Sequence, residues 1–274
     1  MPGQWSREAA DRRGATPTVT PHSPVGTAVD IVCFGESMVT FVPSVPGRLA
    51  DVPAFARGIG GAESNVACAL AAAGHSVRWV SRVGTDGFGD HLVAAISAYG
   101  VDTASVGRDP HRPTGVYFRT ATDRASTAHE VVYHRAGSAA SAMSRDSVDP
   151  AALLSGRVLH LSGITAALSG GCLELMRELT ARRPARPIVS FDVNHRPRLW
   201  QGRTDGPEVL LGLARGCDLV FAGADEAEAM WGPKDADAVR EILPEPAVLV
   251  VKRGAEGATA YVRTAAGGAG GAGG

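Results

Sequence analysis

The stretch "RVLHLSGITAALSGGCLELMRELTARRPARPIVSFDV", residues 157–193, decides the fold class. Its two ends, "RVLHLSG" (157–163) and "PIVSFDV" (187–193), are short apolar runs of the kind that form strands buried on both faces. Between them, Gly171–Arg182 brings leucine and methionine back to one face at helical spacing. Strand, helix and strand in that order are the unit of a parallel sheet covered by helices.

The same alternation extends in both directions. "DIVCFG" (30–35), "SVRWVSRVG" (76–84), "CDLVFAG" (217–223) and "AVLVVKRG" (247–254) read as further buried strands. Glu63–Ala73, Gly89–Tyr99, Glu208–Arg215 and Asp225–Trp231 read as the intervening helices. The expected class is α/β with a mostly parallel central sheet. One section breaks the pattern: "TGVYFRTAT" (114–122) and "HEVVYHRAG" (129–137) alternate with period two around a turn at Asp123–Ser126, which predicts a hairpin. With "MVTFVPS" (38–44) it can build a small side sheet, placed as a lid.

At 274 residues and 45% hydrophobic content, the chain can bury a substantial core. Its 27 basic and 28 acidic residues leave a formal charge of -1, so bulk charge gives no reason to expect nucleic acid or an anionic membrane as partner. Any anion site must be local. Cys33, Cys68, Cys172 and Cys217 are far apart, lack a Cys-x-x-Cys pair and read as reduced buried thiols, which fits a cytoplasmic protein. No apolar run approaches the length of a membrane-spanning helix. Residues 1–28 carry no secretory h-region and read as a disordered extension, and the Gly/Ala run over 265–274 as linker or insertion loop. One domain is therefore expected over 29–264, with the lid drawn from 38–57 and 113–137. Nothing in the sequence fixes an oligomeric state, and a homo-oligomer stays open.

Ligands of open parallel sheets sit beyond the carboxyl ends of the strands, so the residues just after each strand are the candidates. "GIGGAESN" (58–65) places three glycines before a helix start, where the backbone can meet a ligand or simply turn. It lacks the third glycine of the dinucleotide fingerprint. In "VGTDGFG" (83–89), Asp86 reads as a turn or cap residue. On the hairpin, Tyr133 and Arg135 share one face and Val132 and His134 the other, while Tyr117 and Arg119 share a face. Two tyrosines and an arginine suit a polar, acidic small molecule, and a solvated edge hairpin is the rival reading.

"SFDVNHRPRLW" (190–200) runs from a buried strand straight into Asp192, Asn194, His195, Arg196 and Arg198, with Trp200 anchoring the loop. Binding is the favoured reading there, and a salt-bridge network the alternative. "AGADEAEAMWG" (222–232) opens a helix with acids that complement its dipole and could hold the water shell of a magnesium ion. "VVKRGAEGA" (250–258) leaves a strand through Lys252, Arg253 and Gly254 and turns at Gly257 into another strand, where it could border a nucleotide.

Taken in order, Gly-Gly-Ala-Glu-x-Asn, Thr-Gly-x-Tyr, Tyr-x-Arg-x-Gly-Ser-Ala, Leu-His-Leu-Ser-Gly-Ile, Asp-Val-Asn-x-Arg and Lys-Arg-Gly-Ala-x-Gly resemble the ribokinase/PfkB carbohydrate kinases, most of all the 2-keto-3-deoxygluconate kinase group, over Asp30 to Arg263. The resemblance implies a ribokinase-like three-layer sandwich with a β-sheet lid, and transfer of the ATP γ-phosphoryl group to a sugar hydroxyl with Mg2+. Fructokinase and 5-keto-gluconate kinase activity stay open within it. From another class, a non-catalytic sugar-acid binding module is the alternative.

Carried over residue by residue, the resemblance implies a sugar site of Gly61, Asn65, Tyr117, Tyr133, Arg135 and Arg196, the two arginines suiting a carboxylate. It implies a nucleotide side of Gly223, Glu226, Lys252, Arg253, Gly254 and Gly257, with Glu226 near the metal. Gly223 stands where the family's Asn-x-x-Glu motif has asparagine, and His195 where a tyrosine is common. The family's Gly-Ala-Gly-Asp segment, with its proton-accepting Asp, has no match before Gly274, so no catalytic residue is assigned and the chain reads as a fragment expected to be inactive alone.

Overall fold

A computed structural model describes residues 28–120 and 130–263. The expected turn at Asp123–Ser126, the N-terminal extension and the Gly/Ala run lie outside the described residues.

Among the described residues twelve strands form two sheets: β1 Val29–Phe34, β2 Met38–Pro43, β3 Phe55–Gly60, β4 Val77–Gly84, β5 Val106–Asp109, β6 Val116–Arg119, β7 Val131–His134, β8 Gly156–Ser162, β9 Ile188–Asp192, β10 Leu219–Gly223, β11 Val248–Lys252 and β12 Ala258–Val262. The helices are α1 Ala62–Ala72, α2 Gly87–Ser97, α3 Pro150–Leu153, α4 Gly163–Leu168, α5 Gly170–Thr180, α6 Gly206–Gly216, α7 Ala224–Trp231 and α8 Ala236–Ile242. The large sheet has the order β12-β11-β10-β9-β8-β1-β4-β5 and is parallel except for the β11–β12 pair.

Both faces of this sheet are buried, and β1 shows it within three residues. Val32 and Phe34 enter one core with Leu159, Leu161, Met176 and Leu210, whereas Cys33 between them enters a second with Ala67, Trp79, Leu92 and Ile96. Side chains of a strand alternate between faces, so two cores mean helices on both sides. The expected α/β class and mostly parallel sheet are what the structure shows.

The small sheet has the order β3-β2-β6-β7, with β2–β3 and β6–β7 antiparallel and β2–β6 parallel. The expected hairpin is present with the expected faces. Tyr117 pairs with Tyr133, and Phe118 with Val132, so the tyrosines and Val132 lie on opposite faces. The Phe118 face stacks on Phe41, which meets Phe88 of α2 edge-on.

The sequence reading missed β3, β5, α3, α4 and α8 and ran the hairpin strands too long. Glycines at 58 and 60 disguise β3 as a turn, and both are tolerated because that strand pairs only with β2. A Cβ at Gly60 would overlap the Tyr117 hydroxyl, and one at Gly61 would press on the Glu36 carbonyl and Ser64 Oγ. These glycines permit close packing between the lid, α1 and the loop after β1.

Candidate functional site

Part of the candidate set stands at the carboxyl ends of β9 to β11, where parallel strands stop. Asp192 ends β9, Gly223 ends β10 and Lys252 ends β11. The Lys252 ammonium reaches across to Asp192 at 2.7 Å, tying the ends of two strands that flank β10.

Beyond Asp192 the chain takes a turn that few residues adopt. Asn194 has φ +43° and is buried, and asparagine is among the non-glycine residues that tolerate this region. The turn throws His195 and Arg196 outward, and a short 3₁₀ turn over Pro197–Trp200 then buries Trp200. Arg203 lies over the Trp200 ring at 5.0 Å, so the loop is pinned as expected. Burial lowers the His195 pKa, with Glu226 opposing the shift.

Arg196 remains half exposed and approaches Glu226 to 3.6 Å. Glu226 sits in the first turn of α7 and its carboxylate also accepts from the Gly223 N–H at 3.4 Å. Glycine at the cap position supplies no side-chain acceptor, so only half of the reciprocal cap exists here. Two loops that the sequence treated separately therefore meet through Arg196 and Glu226.

A third segment joins them from the lid. Arg198 Nη1 donates to the Val131 carbonyl of β7 at 3.2 Å. Tyr133 stacks on Tyr117 with ring centroids 5.4 Å apart, and the Arg135 guanidinium lies 5.8 Å from the Tyr133 ring centre. Arg135 is not free: it forms an ion pair with Glu36, which is fully buried in the loop between β1 and β2. Asn65 is exposed on α1, and Gly61 immediately precedes that helix.

On the nucleotide side, Arg253, Gly254 and Gly257 form the tight connection from β11 to β12. Gly254 and Gly257 have φ +57° and +98°, and the Arg253 N–H donates to the Gly257 carbonyl at 2.8 Å. These glycines are required by the turn itself. Asp86 is a helix cap, accepting from the Phe88 and Gly89 N–H groups at 3.0 and 2.8 Å.

Two buried carboxyls escaped the sequence reading of the site. Besides Glu36, Glu63 of α1 is fully buried; its Oε1 accepts from Ser162 at 2.8 Å and Thr165 at 2.9 Å, while Oε2 has no partner. Burial, the largest influence, raises its pKa to about 7 despite those hydroxyls, with the nearby Glu36 pushing the same way. A signal for Glu36 existed: an acid directly after a buried strand stands at the ligand end of the sheet.

The profile of the pfkB family carbohydrate kinases matches residues 28–270. The chain belongs to this family. It is 32% identical over 240 residues to the 2-dehydro-3-deoxygluconokinase of Bacillus subtilis, covering 86% of this chain and 73% of that one. Among solved structures, the PfkB protein of a Polaromonas species shares 38% identity with a TM-score of 0.80, covering 86% of this chain and 80% of that one. The fructokinase of Xylella fastidiosa with bound ATP shares 27% identity with a TM-score of 0.75, covering 88% and 77%. As a PfkB-family sugar kinase this chain is a phosphotransferase, and its α/β fold, with a mostly parallel central sheet and a second small sheet, matches these structural relatives. No described helix is long and apolar enough to cross a membrane.

Proposed function

We propose that this kinase uses ATP to phosphorylate a hydroxyl of a sugar acid of the 2-dehydro-3-deoxygluconate type. The observation that carries the reading is Arg196, a half-exposed guanidinium on the loop that joins the lid through Arg198 and the α7 start through Glu226. A planar guanidinium binds both oxygens of a carboxylate, and this one stands where the sugar-side and nucleotide-side candidates meet. Tyr117 and Tyr133 would cover the sugar, with Gly61 and Asn65 at the α1 end and Arg135 at the base of the lid.

Lys252, Arg253, Gly254, Gly257 and Gly223 would border the nucleotide. Among the described residues no three metal-ligating side chains gather, so a protein cage for a metal is absent there. The single partly exposed carboxylate of Glu226 nevertheless fits Mg2+, which keeps several waters and takes phosphate oxygens as ligands. Bound there, Mg2+ would neutralise charge on the phosphates. The four free, buried cysteines support a reducing cytoplasmic setting.

A second reading, a neutral-hexose kinase such as a fructokinase, is favoured by one observation: both arginines already have a carboxylate neighbour. Calorimetry on the wild type and Arg196→Ala separates the two. For a sugar-acid site the substitution costs about 1.5–3 kcal/mol with 2-dehydro-3-deoxygluconate and much less with fructose. Equal losses for the two sugars remove the acid assignment.

A further inference from the structure

We propose that Glu36 is a positioning residue that sets the preference between acidic and neutral sugars by holding the Arg135 guanidinium and cancelling its charge. The inference rests on the reading of Arg135 and Arg196 as sugar ligands.

Glu36 is clamped from three segments of the chain. Ser138 Oγ donates to its Oε1 at 2.9 Å, and Arg135 pairs with its Oε2. Its own carbonyl packs against Gly61, and a Cβ at Gly115 would stand 3.1 Å from its Oε1, so a glycine at the entry to β6 leaves room for the carboxylate. A side chain held in this way cannot swing aside when a ligand arrives.

Arg135 is correspondingly fixed. Its side chain is 11% exposed and Glu36 is 0% exposed, so their attraction is poorly screened by water. Its Nε is buried without a partner, leaving donor capacity beside the Tyr117–Tyr133 stack. An anionic sugar arriving there meets a neutral pair in place of a free cation. Glu63, whose carboxyl lies against Gly35 next in the chain to Glu36, adds a second acid behind the pair. Arg196, 52% exposed and 3.6 Å from a partly exposed Glu226, is the more loosely matched arginine. The acid preference of the site therefore comes mainly from Arg196, and Arg135 serves as a fixed hydrogen-bond donor.

Glu36→Gln keeps an acceptor for Ser138 and Arg135 but removes the charge. The test is calorimetric titration of 2-dehydro-3-deoxygluconate and fructose into the wild type, Glu36→Gln, Arg135→Gln and the double variant. Releasing the Arg135 charge turns a neutral-type bond to the sugar acid into a charge-assisted one, so the ratio of acid to neutral affinity rises roughly tenfold in Glu36→Gln. The rise vanishes in the Arg135→Gln background, an outcome that a merely structural role for Glu36 does not produce. If Glu36→Gln does not fold, Glu36→Asp draws the charge back by one methylene and gives a smaller shift in the same direction. A ratio that does not respond, or a shift that survives without Arg135, overturns the inference and leaves the sugar site standing. A wild type that binds neither sugar overturns the sugar site and the inference with it.

Discussion

Replacing Glu63 by glutamine changes how stability depends on pH, and the size of the change follows from the burial of one carboxyl. Glu63 is fully buried, with one oxygen satisfied by Ser162 and Thr165 and the other unpartnered. Its pKa rises from 4.5 to about 7 on folding. The folded chain therefore keeps a proton that the unfolded chain has released. The stabilisation is fully present below pH 4.5, is lost as pH rises towards 7 and is gone above it. A shift of that size corresponds to about 3 kcal/mol.

Glu36 and Cys33 face the same group: Glu36 adds to the effect of burial in pushing the Glu63 pKa up, and burial, with Glu63 adding to it, raises that of the Cys33 thiol. His91, His160 and His195, lowered mainly by burial, contribute in the opposite sense as pH rises through the ordinary histidine range. The measured quantity must therefore be a difference. Urea unfolding of the wild type and Glu63→Gln, at intervals from pH 5 to 8, should show the variant gaining on the wild type by about 2.5 kcal/mol across the range, or roughly 1 M in midpoint. Parallel pH curves for the two proteins would falsify the assignment of a proton to buried Glu63.

Two further outcomes test the lid. Gly60→Ala should destabilise by about 1–3 kcal/mol because its Cβ meets the Tyr117 hydroxyl, and Tyr117→Phe should restore much of that; strictly additive losses in thermal melts would show that the hydroxyl is not what the glycine accommodates. Tyr133→Ala should weaken sugar binding by about 1 kcal/mol or more through loss of the stack on Tyr117, whereas exposed Val132→Ala should stay within about 0.5 kcal/mol in stability and leave binding unchanged; calorimetry showing the reverse places the sugar on the other face.

The fold was legible where burial is two-sided. "PIVSFDV" and "CDLVFAG" announce themselves because a strand covered on both faces has no room for polar alternation. β3, "FARGIG", was not legible as a strand, since its glycines are selected by the Tyr117 hydroxyl and the Thr40 methyl, contacts made by residues far along the chain or across the sheet. The same limit governs the site. Arg196 and Glu226 each looked functional from local pattern, but their meeting depends on the order of β9 and β10 in the sheet. Arg135 was read as free to take a ligand because its partner, Glu36, lies 99 positions earlier. Pairings across that distance leave no trace in periodicity or spacing.

These contacts also differ in strength across the side sheet. Only Gly35–Ser37 separate β1 of the large sheet from β2 of the small one, and all three are buried. Displacing this root would break the Glu36–Arg135 pair, and leaving one buried charge unmatched costs about 3–5 kcal/mol. At the other edge, β7 is tied to the core loop by the Arg198 bond to the Val131 carbonyl, made by an exposed side chain and worth about 1 kcal/mol. The Val131 end of β7 is thus the more weakly held of the two, while the chain at Arg135 is held to the core by the buried pair. Tyr133 lies between these two ties. The tyrosine stack and the arginine at its base, though adjacent along one strand and its exit, are therefore held in place by contacts of different strength.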